Sequence, residues 1–127
     1  YTYSGIPVAV SAALAVQEIF EKEDIFNRVK KISNYFEEGL HSLKDIKCVQ
    51  SIRNYGLLGG IDIQMREKPG KAGFQVYKEC YKAGINIKPT GDALIIAPPF
   101  ICDKKNIDEI IEKLRVGISN YSKFKNS

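Results

Sequence analysis

Lys47-Cys48-Val49-Gln50-Ser51-Ile52-Arg53-Asn54-Tyr55-Gly56-Leu57-Leu58-Gly59-Gly60-Ile61-Asp62-Ile63-Gln64-Met65 is the stretch on which the architecture turns. It holds two strand-like runs, Lys47 to Arg53 and Leu57 to Met65, joined at Asn54-Tyr55-Gly56. In the second run Ile61, Ile63 and Met65 alternate with Gly60, Asp62 and Gln64, the two-residue period of a strand with one face on a core and the other open. A hairpin follows. Asn-Tyr-Gly is compatible with the turn because Asn and Gly tolerate positive φ, and Gly56 should be hard to replace if it adopts one.

Upstream of this hairpin the period changes to that of helices. From Asp24, read as a cap, Ile25, Val29, Ile32, Phe36, Leu40 and Leu43 recur at three- and four-residue spacing, with Arg28, Lys30, Lys31, Glu37 and Glu38 turned mostly to water. Earlier still, Ser4 or Gly5 can cap a helix with Pro7 in its first turn, running from Val8 to about Glu21. Its first half is apolar all round: Ile6, Val8, Ala9, Val10, Ala12, Ala13, Leu14, Ala15 and Val16 leave only Ser11 polar. A surface helix shows one apolar stripe, so this one expects protein on every side, more than 127 residues readily supply. Residues 1–23 therefore read as an inter-domain or interface helix and 24–127 as the folded small domain; the competing reading makes the helix the centre of a small α/β domain.

Downstream, Arg66 to Lys71 is a charged loop, and a helix from about Ala72 to Ala83 stops at Gly84. A short strand, Ile85 to Lys88, is broken by Pro89 and turned at Thr90-Gly91-Asp92. The next strand, Ala93 to Ala97, is stopped by Pro98-Pro99. Asp103 caps a last helix with Ile107, Ile110, Ile111, Leu114, Ile118 and Tyr121 on one face, and Lys123 to Ser127 is a fraying tail. The sum is an α+β fold: a small, mostly antiparallel sheet of three or four strands with helices on one face.

A net charge of +4, 44% hydrophobic and 27% charged residues are ordinary for a globular chain. Lysines alternate with acids along the helices, without the one-sided clustering of a nucleic-acid footprint, so no nucleic acid is expected. No apolar run reaches the ~20 residues of a membrane span, and no signal peptide opens the chain. A cytoplasmic protein without a membrane role is the expectation. Cys48, Cys80 and Cys102 are odd in number and far apart, and read as free, mostly buried thiols rather than a disulfide or metal set.

Four runs carry a resemblance: Tyr1-Thr2-Tyr3-Ser4-Gly5-Ile6-Pro7, His41-Ser42-Leu43, Ile52 through Gly60, and Thr90-Gly91-Asp92-Ala93-Leu94-Ile95-Ile96-Ala97-Pro98-Pro99. The chain resembles class III (fold type I) pyridoxal-phosphate aminotransferases, closest to the ω-amino acid (β-alanine):pyruvate transaminase branch. The resemblance implies the C-terminal small domain of such an enzyme, a pyridoxal 5'-phosphate cofactor, and transfer of an amino group from an ω-amino acid or amine to pyruvate or another 2-keto acid. It further implies a homodimer partner and an N-terminal large domain carrying the Schiff-base Lys and the acid on the pyridine nitrogen. With no initiator Met ahead of Tyr1, the chain is expected to be the back end of that enzyme and inactive alone. A stand-alone α+β ligand-binding or interaction module is the alternative.

By the same resemblance Thr2 bonds the cofactor phosphate of the partner subunit. Near a helix N-terminus, where backbone N–H groups and the dipole favour an anion, a small hydroxyl suits that task; simple capping or exposure is the plainer role. The sequence departs from the family at Ile6, where relatives carry His or Asn. It departs again at Lys88, where the branch has an Arg that grips the substrate carboxylate. Lys can bind a carboxylate as a point charge but lacks the planar fork, and a strand-end Lys reaching into solvent is the competing reading. Arg53 reads as a hairpin Arg bonding loop carbonyls, Asp92 as fixing a turn and His41 as facing helix carbonyls. Tyr1 and Tyr3 wall a pocket or pack on the large domain. Pro98-Pro99 ends a strand and shapes the pocket rim.

Overall fold

The computed structural model describes Thr2, residues 4–64 and residues 68–123. Tyr1, Tyr3, Met65 and the end of the tail lie outside the described residues, and with them the expectations placed on the two tyrosines, on the last residue of the second strand and on the fraying of 124–127.

Two helices come first, α1 (Pro7–Lys22) and α2 (Ile25–His41), followed by a 3-10 turn (Ser42–Asp45) that the sequence had not announced. Pro7 sits in the first turn of α1 as expected, but neither Ser4 nor Gly5 is the cap. Ile6 holds that position with no side-chain bond, and Gly5 bends the chain ahead of it at φ +72°. Asp24 does precede α2, yet it works differently from an ordinary cap. Its φ of +49° makes the sharp corner between the helices, and both carboxylate oxygens accept from Asn27 Nδ2 at 2.9 Å instead of from a backbone N–H. Asp is one of the few residues that tolerate the left-handed region, which explains its place here.

The hairpin forms as β1 (Val49–Tyr55) and β2 (Leu58–Ile63), with Tyr55 opposite Leu58. Its turn therefore falls one or two residues later than Asn54-Tyr55-Gly56, at Gly56-Leu57. Gly56 has φ +55° at the first central position, where a two-residue loop suited to strand twist needs it. After α3 (Ala72–Lys82) come β3 (Lys88–Thr90) and β4 (Ala93–Ile96), then α4 (Lys104–Lys123). Pro89 does not break β3; it lies inside it, opposite Leu94. The strand order β1-β2-β4-β3 explains this: β3 is an edge strand, where a residue without an N–H is tolerated. All pairings are antiparallel. Asp103 caps α4 as expected: its carboxylate accepts the Asn106 N–H at 2.9 Å, and its own N–H donates to Asn106 Oδ1 at 3.1 Å.

The core lies between one face of this sheet and α2, α3 and α4. Phe36, Leu40, Ile61, Ile63, Val76, Leu94, Ile107, Leu114 and Ile118 are fully enclosed there. The three cysteines are buried and form no disulfide, and burial pushes the Cys80 thiol up to about 12, too high for a reactive thiolate. Set against this core, α1 is exceptional, since none of its sixteen residues is buried. Val8 is 80% exposed and Leu14 58%. It does not pack as the centre of this domain. It is held chiefly at its C-terminal end, where the Phe20 ring meets Phe26 at 5.3 Å and Phe100 at 6.0 Å.

Candidate functional site

Because α2, α3 and α4 cover one sheet face, the alternate residues of each strand stand on the other. Partners in register share a face, which lines up Arg53, Gly60, Ile95 and Lys88 in one row across all four strands. A second row holds Ser51, Asp62, Ala93 and Thr90. Tyr55, 90% exposed, and Leu58, 54% exposed, form the rim nearest the β1–β2 turn. A shallow depression of about 370 Å³ opens there over Gly60 and Ile95.

Lys88 opens β3 and is exposed. Among the described residues its ammonium has no hydrogen-bond or ion-pair partner. Arg53 does not bond loop carbonyls. Its Nη1 donates to Asp62 Oδ2 at 2.5 Å, and the Ser51 hydroxyl donates to the same oxygen. The Arg53 bond first, and the Ser51 bond second, hold the Asp62 carboxyl below its usual range. Sequence reasoning missed this trio, although its signal was there: Ser51 and Arg53 share one phase of β1, and Asp62 has the matching phase of β2.

Asp92 sits in the β3–β4 turn, but its main task lies elsewhere. Its carboxylate accepts the Gly70 N–H at 2.8 Å and the Ala72 N–H at 3.0 Å. It thus supplies the cap that Lys71, at the N-cap of α3, does not. These two bonds, Gly70 first, lower the Asp92 pKa. A group whose folded pKa is depressed stabilises above its unfolded value and loses that contribution as pH falls through the folded one. Asp92→Ala should therefore lower the melting temperature at neutral pH by several degrees, with the gap to the parent chain closing below the ordinary value of 3.8. Calorimetry across pH checks this, and a gap independent of pH would show that the carboxylate charge is not what matters.

His41 does not serve the helix carbonyls. Its Nε2 donates to Asn54 Oδ1 at 2.9 Å, while Asn54 Nδ2 donates to Glu37 Oε2 at 3.2 Å, tying α2 to the hairpin. Thr2 is exposed ahead of α1. The structure does not bring Thr2 and Lys88 into one described cluster. The first turn of α1 has Pro7 at its start and no side-chain cap, so no side chain among the described residues claims its N–H groups. Among the described residues no group of three His, Cys, Asp or Glu could hold a metal ion, and no helix is long and apolar enough to cross a membrane.

The four-stranded antiparallel sheet with its helices is an α+β fold whose structural neighbours are fold type I transaminases. The model of the class-III aminotransferase family matches residues 1–118, and the chain belongs to that family. An omega-aminotransferase of Caulobacter vibrioides is 36% identical over 116 residues, which are 91% of this chain and 26% of that protein. The omega-amino acid--pyruvate aminotransferase of Pseudomonas putida is 35% identical over 117 residues, 88% of this chain and 25% of that one. Among solved structures, an amine transaminase from an uncultivated Pseudomonas species in its PLP-bound form superposes with a TM-score of 0.82 at 27% identity, covering 94% of this chain and 29% of that one. The chain thus spans about a quarter of the length of the curated relatives it matches.

Proposed function

We propose that this chain is the C-terminal part of a pyridoxal 5'-phosphate-dependent ω-amino acid (β-alanine):pyruvate transaminase, in which Lys88 holds the substrate carboxylate and Thr2 a phosphate oxygen of the partner subunit's cofactor. The observation that carries the reading is the Lys88 ammonium, without a partner among the described residues, on the open sheet face of a class III family member. The names of the Caulobacter and Pseudomonas relatives point to the same branch.

Bound pyridoxal phosphate supplies the carrier on which an amino group passes from an amine donor to a 2-keto acid. This chain's own residues bind and orient. Lys88 meets the carboxylate with charge-assisted bonds that an isolated ammonium can aim in several directions, so orientation depends on the rest of the pocket more than it would with an Arg fork. The Thr2 hydroxyl and the N–H groups at the uncapped start of α1 suit a phosphate, which is the fit the donor set offers to this cofactor. The lysine that holds the cofactor and the acid on its pyridine nitrogen belong, on this reading, to a large domain ahead of Tyr1. The segment of residues 1–23, which carries the apolar α1, lies between the small domain 24–127, that large domain and the second subunit of a cytoplasmic homodimer.

Alanine formation from β-alanine and pyruvate tests the proposal. The complete polypeptide with cofactor should turn over, and the 127-residue chain should stay at the level of a heat-killed control. Turnover by this chain alone, or none by the complete polypeptide with any ω-amino acid, overturns it.

A further inference from the structure

The helix α3 has two sides of opposite character. Ala72, Val76 and Cys80 enter the core, where Gly117 of α4 leaves the room that Cys80 fills. At 3.6 residues per turn the opposite side carries Lys71, Phe74, Lys78, Tyr81 and Lys82, all of them exposed. Phe74 is 54% exposed and Tyr81 64%. The rings are not scattered. Phe74 stacks on the half-buried Tyr77 at 5.8 Å, and Tyr77 meets Tyr81 at 6.1 Å, so a ladder of rings runs along the helix. The Lys78 ammonium lies 5.3 Å from the centre of the Phe74 ring. Single exposed apolar residues are ordinary on a protein surface, whereas a row of touching rings bordered by lysines marks a contact surface.

The charge beside the ladder is positive. Glu79, the one acid of α3, is taken by Lys82 at 2.7 Å, and Lys71 and Lys78 have no carboxylate partner among the described residues. Nothing in the transaminase reading uses this surface. The open sheet face lies across the sheet from α3, and α1 packs on α2, so both faces assigned to the rest of the enzyme leave the ladder uncovered. Its shape narrows the choice of partner. The crest of a helix is convex, and a folded acidic protein would need a groove to receive it, while the headgroup layer of a bilayer yields to it. Aromatic and basic side chains settle at such a layer together: rings enter the acyl boundary, phenol hydroxyls stay at the water, and lysine stems lie along apolar surface while their ammoniums meet anionic headgroups.

We infer that the outer face of α3 adsorbs to anionic lipid surfaces, with Phe74, Tyr77 and Tyr81 at the boundary between headgroups and acyl chains and Lys71 and Lys78 on the headgroup anions. The contact is adsorption and not insertion, since among the described residues no helix is long and apolar enough to cross a membrane. It departs from the expectation of a chain without a membrane role, which rested on the lack of a spanning run, and it does not depend on the assignment of Lys88.

The chain contains no Trp, so Tyr81→Trp places a single reporter on the ladder. Its emission should shift to the blue on vesicles containing phosphatidylserine and be quenched by lipids brominated along the acyl chain. Phosphatidylcholine vesicles should change it little, and high salt should remove the shift. Each lysine near an anionic surface strengthens adsorption about fivefold, so Lys71→Gln combined with Lys78→Gln should weaken it on the order of twentyfold. Phe74→Ser, at a position more than half exposed, should weaken it as well while leaving the melting temperature almost unchanged. The reporter also separates α3 from α1, whose apolar side chains can carry the chain to any vesicle. Co-flotation with water-like Trp emission, no shift on either vesicle, an equal shift on phosphatidylcholine, or a shift indifferent to the lysines overturns the inference. A shift produced by polyglutamate and not by vesicles overturns it in favour of an acidic protein partner.

Discussion

Removing residues 1–23 should turn a self-associating chain into a monomer. The helix α1 buries none of its residues, and Ile6, Val8, Val10, Leu14, Val16 and Ile19 are all open to water in the isolated chain. Leaving even ~400 Å² of such surface exposed costs on the order of 10 kcal/mol by area, comparable with the whole stability of a domain. Copies of the chain can hide it against one another, by helix pairing or by laying α1 on a neighbour's sheet. What α1 gives its own domain is small by comparison, chiefly Phe20 against Phe26 and Phe100. A chain beginning at Asp24 keeps the core built on Phe36, Leu40, Ile61, Leu94 and Leu114. Light scattering at micromolar concentration should therefore give a multiple of the chain mass for the full chain and a single mass for the shortened one. A monomeric full chain would show that α1 is at ease on this domain alone, and the assignment of residues 1–23 to an interface would fall.

That helix was legible because composition alone distinguishes an all-round apolar surface from a stripe. The same was true of the hairpin, where the two-residue period of Ile61 and Ile63 marked the buried face before any pairing was known. Other features depend on partners too distant for a local pattern to register. The order β1-β2-β4-β3 is set by β2 pairing with β4 across α3, and only that order makes β3 an edge strand able to hold Pro89. Asp92 looked like a turn residue because it is one, but its carboxylate serves N–H groups twenty and more residues earlier in the chain. Arg53 and Asp62 stood in matching phases of neighbouring strands, so their bond could have been drawn from register once the hairpin turn was placed correctly at Gly56-Leu57. Lys88 and Thr2 differ from all of these. Spacing gives neither a role; resemblance to the family nominated both, and the structure adds only that Lys88, on the open face, has no partner among the described residues and that Thr2 is exposed.

Lys88→Ala is accordingly the substitution with the largest expected effect on catalysis in the complete enzyme. A charge-assisted contact to a carboxylate is worth about 1.5–3 kcal/mol, which corresponds to a rise in KM of roughly tenfold or more for substrates that carry one. The side chain is exposed at a strand end, so its loss should leave the melting temperature almost unchanged and the kinetic effect free of unfolding. Lys88→Arg should keep or improve binding, because the fork matches a carboxylate better than a point charge does. Amine donors without a carboxylate have nothing to lose at this position. The KM for β-alanine relative to the KM for a simple amine, measured in the parent enzyme and in Lys88→Ala, is therefore the most direct test of the account. A ratio that rises about tenfold on substitution is the predicted result, and a ratio that does not move, whether both constants change together or neither changes, would contradict it.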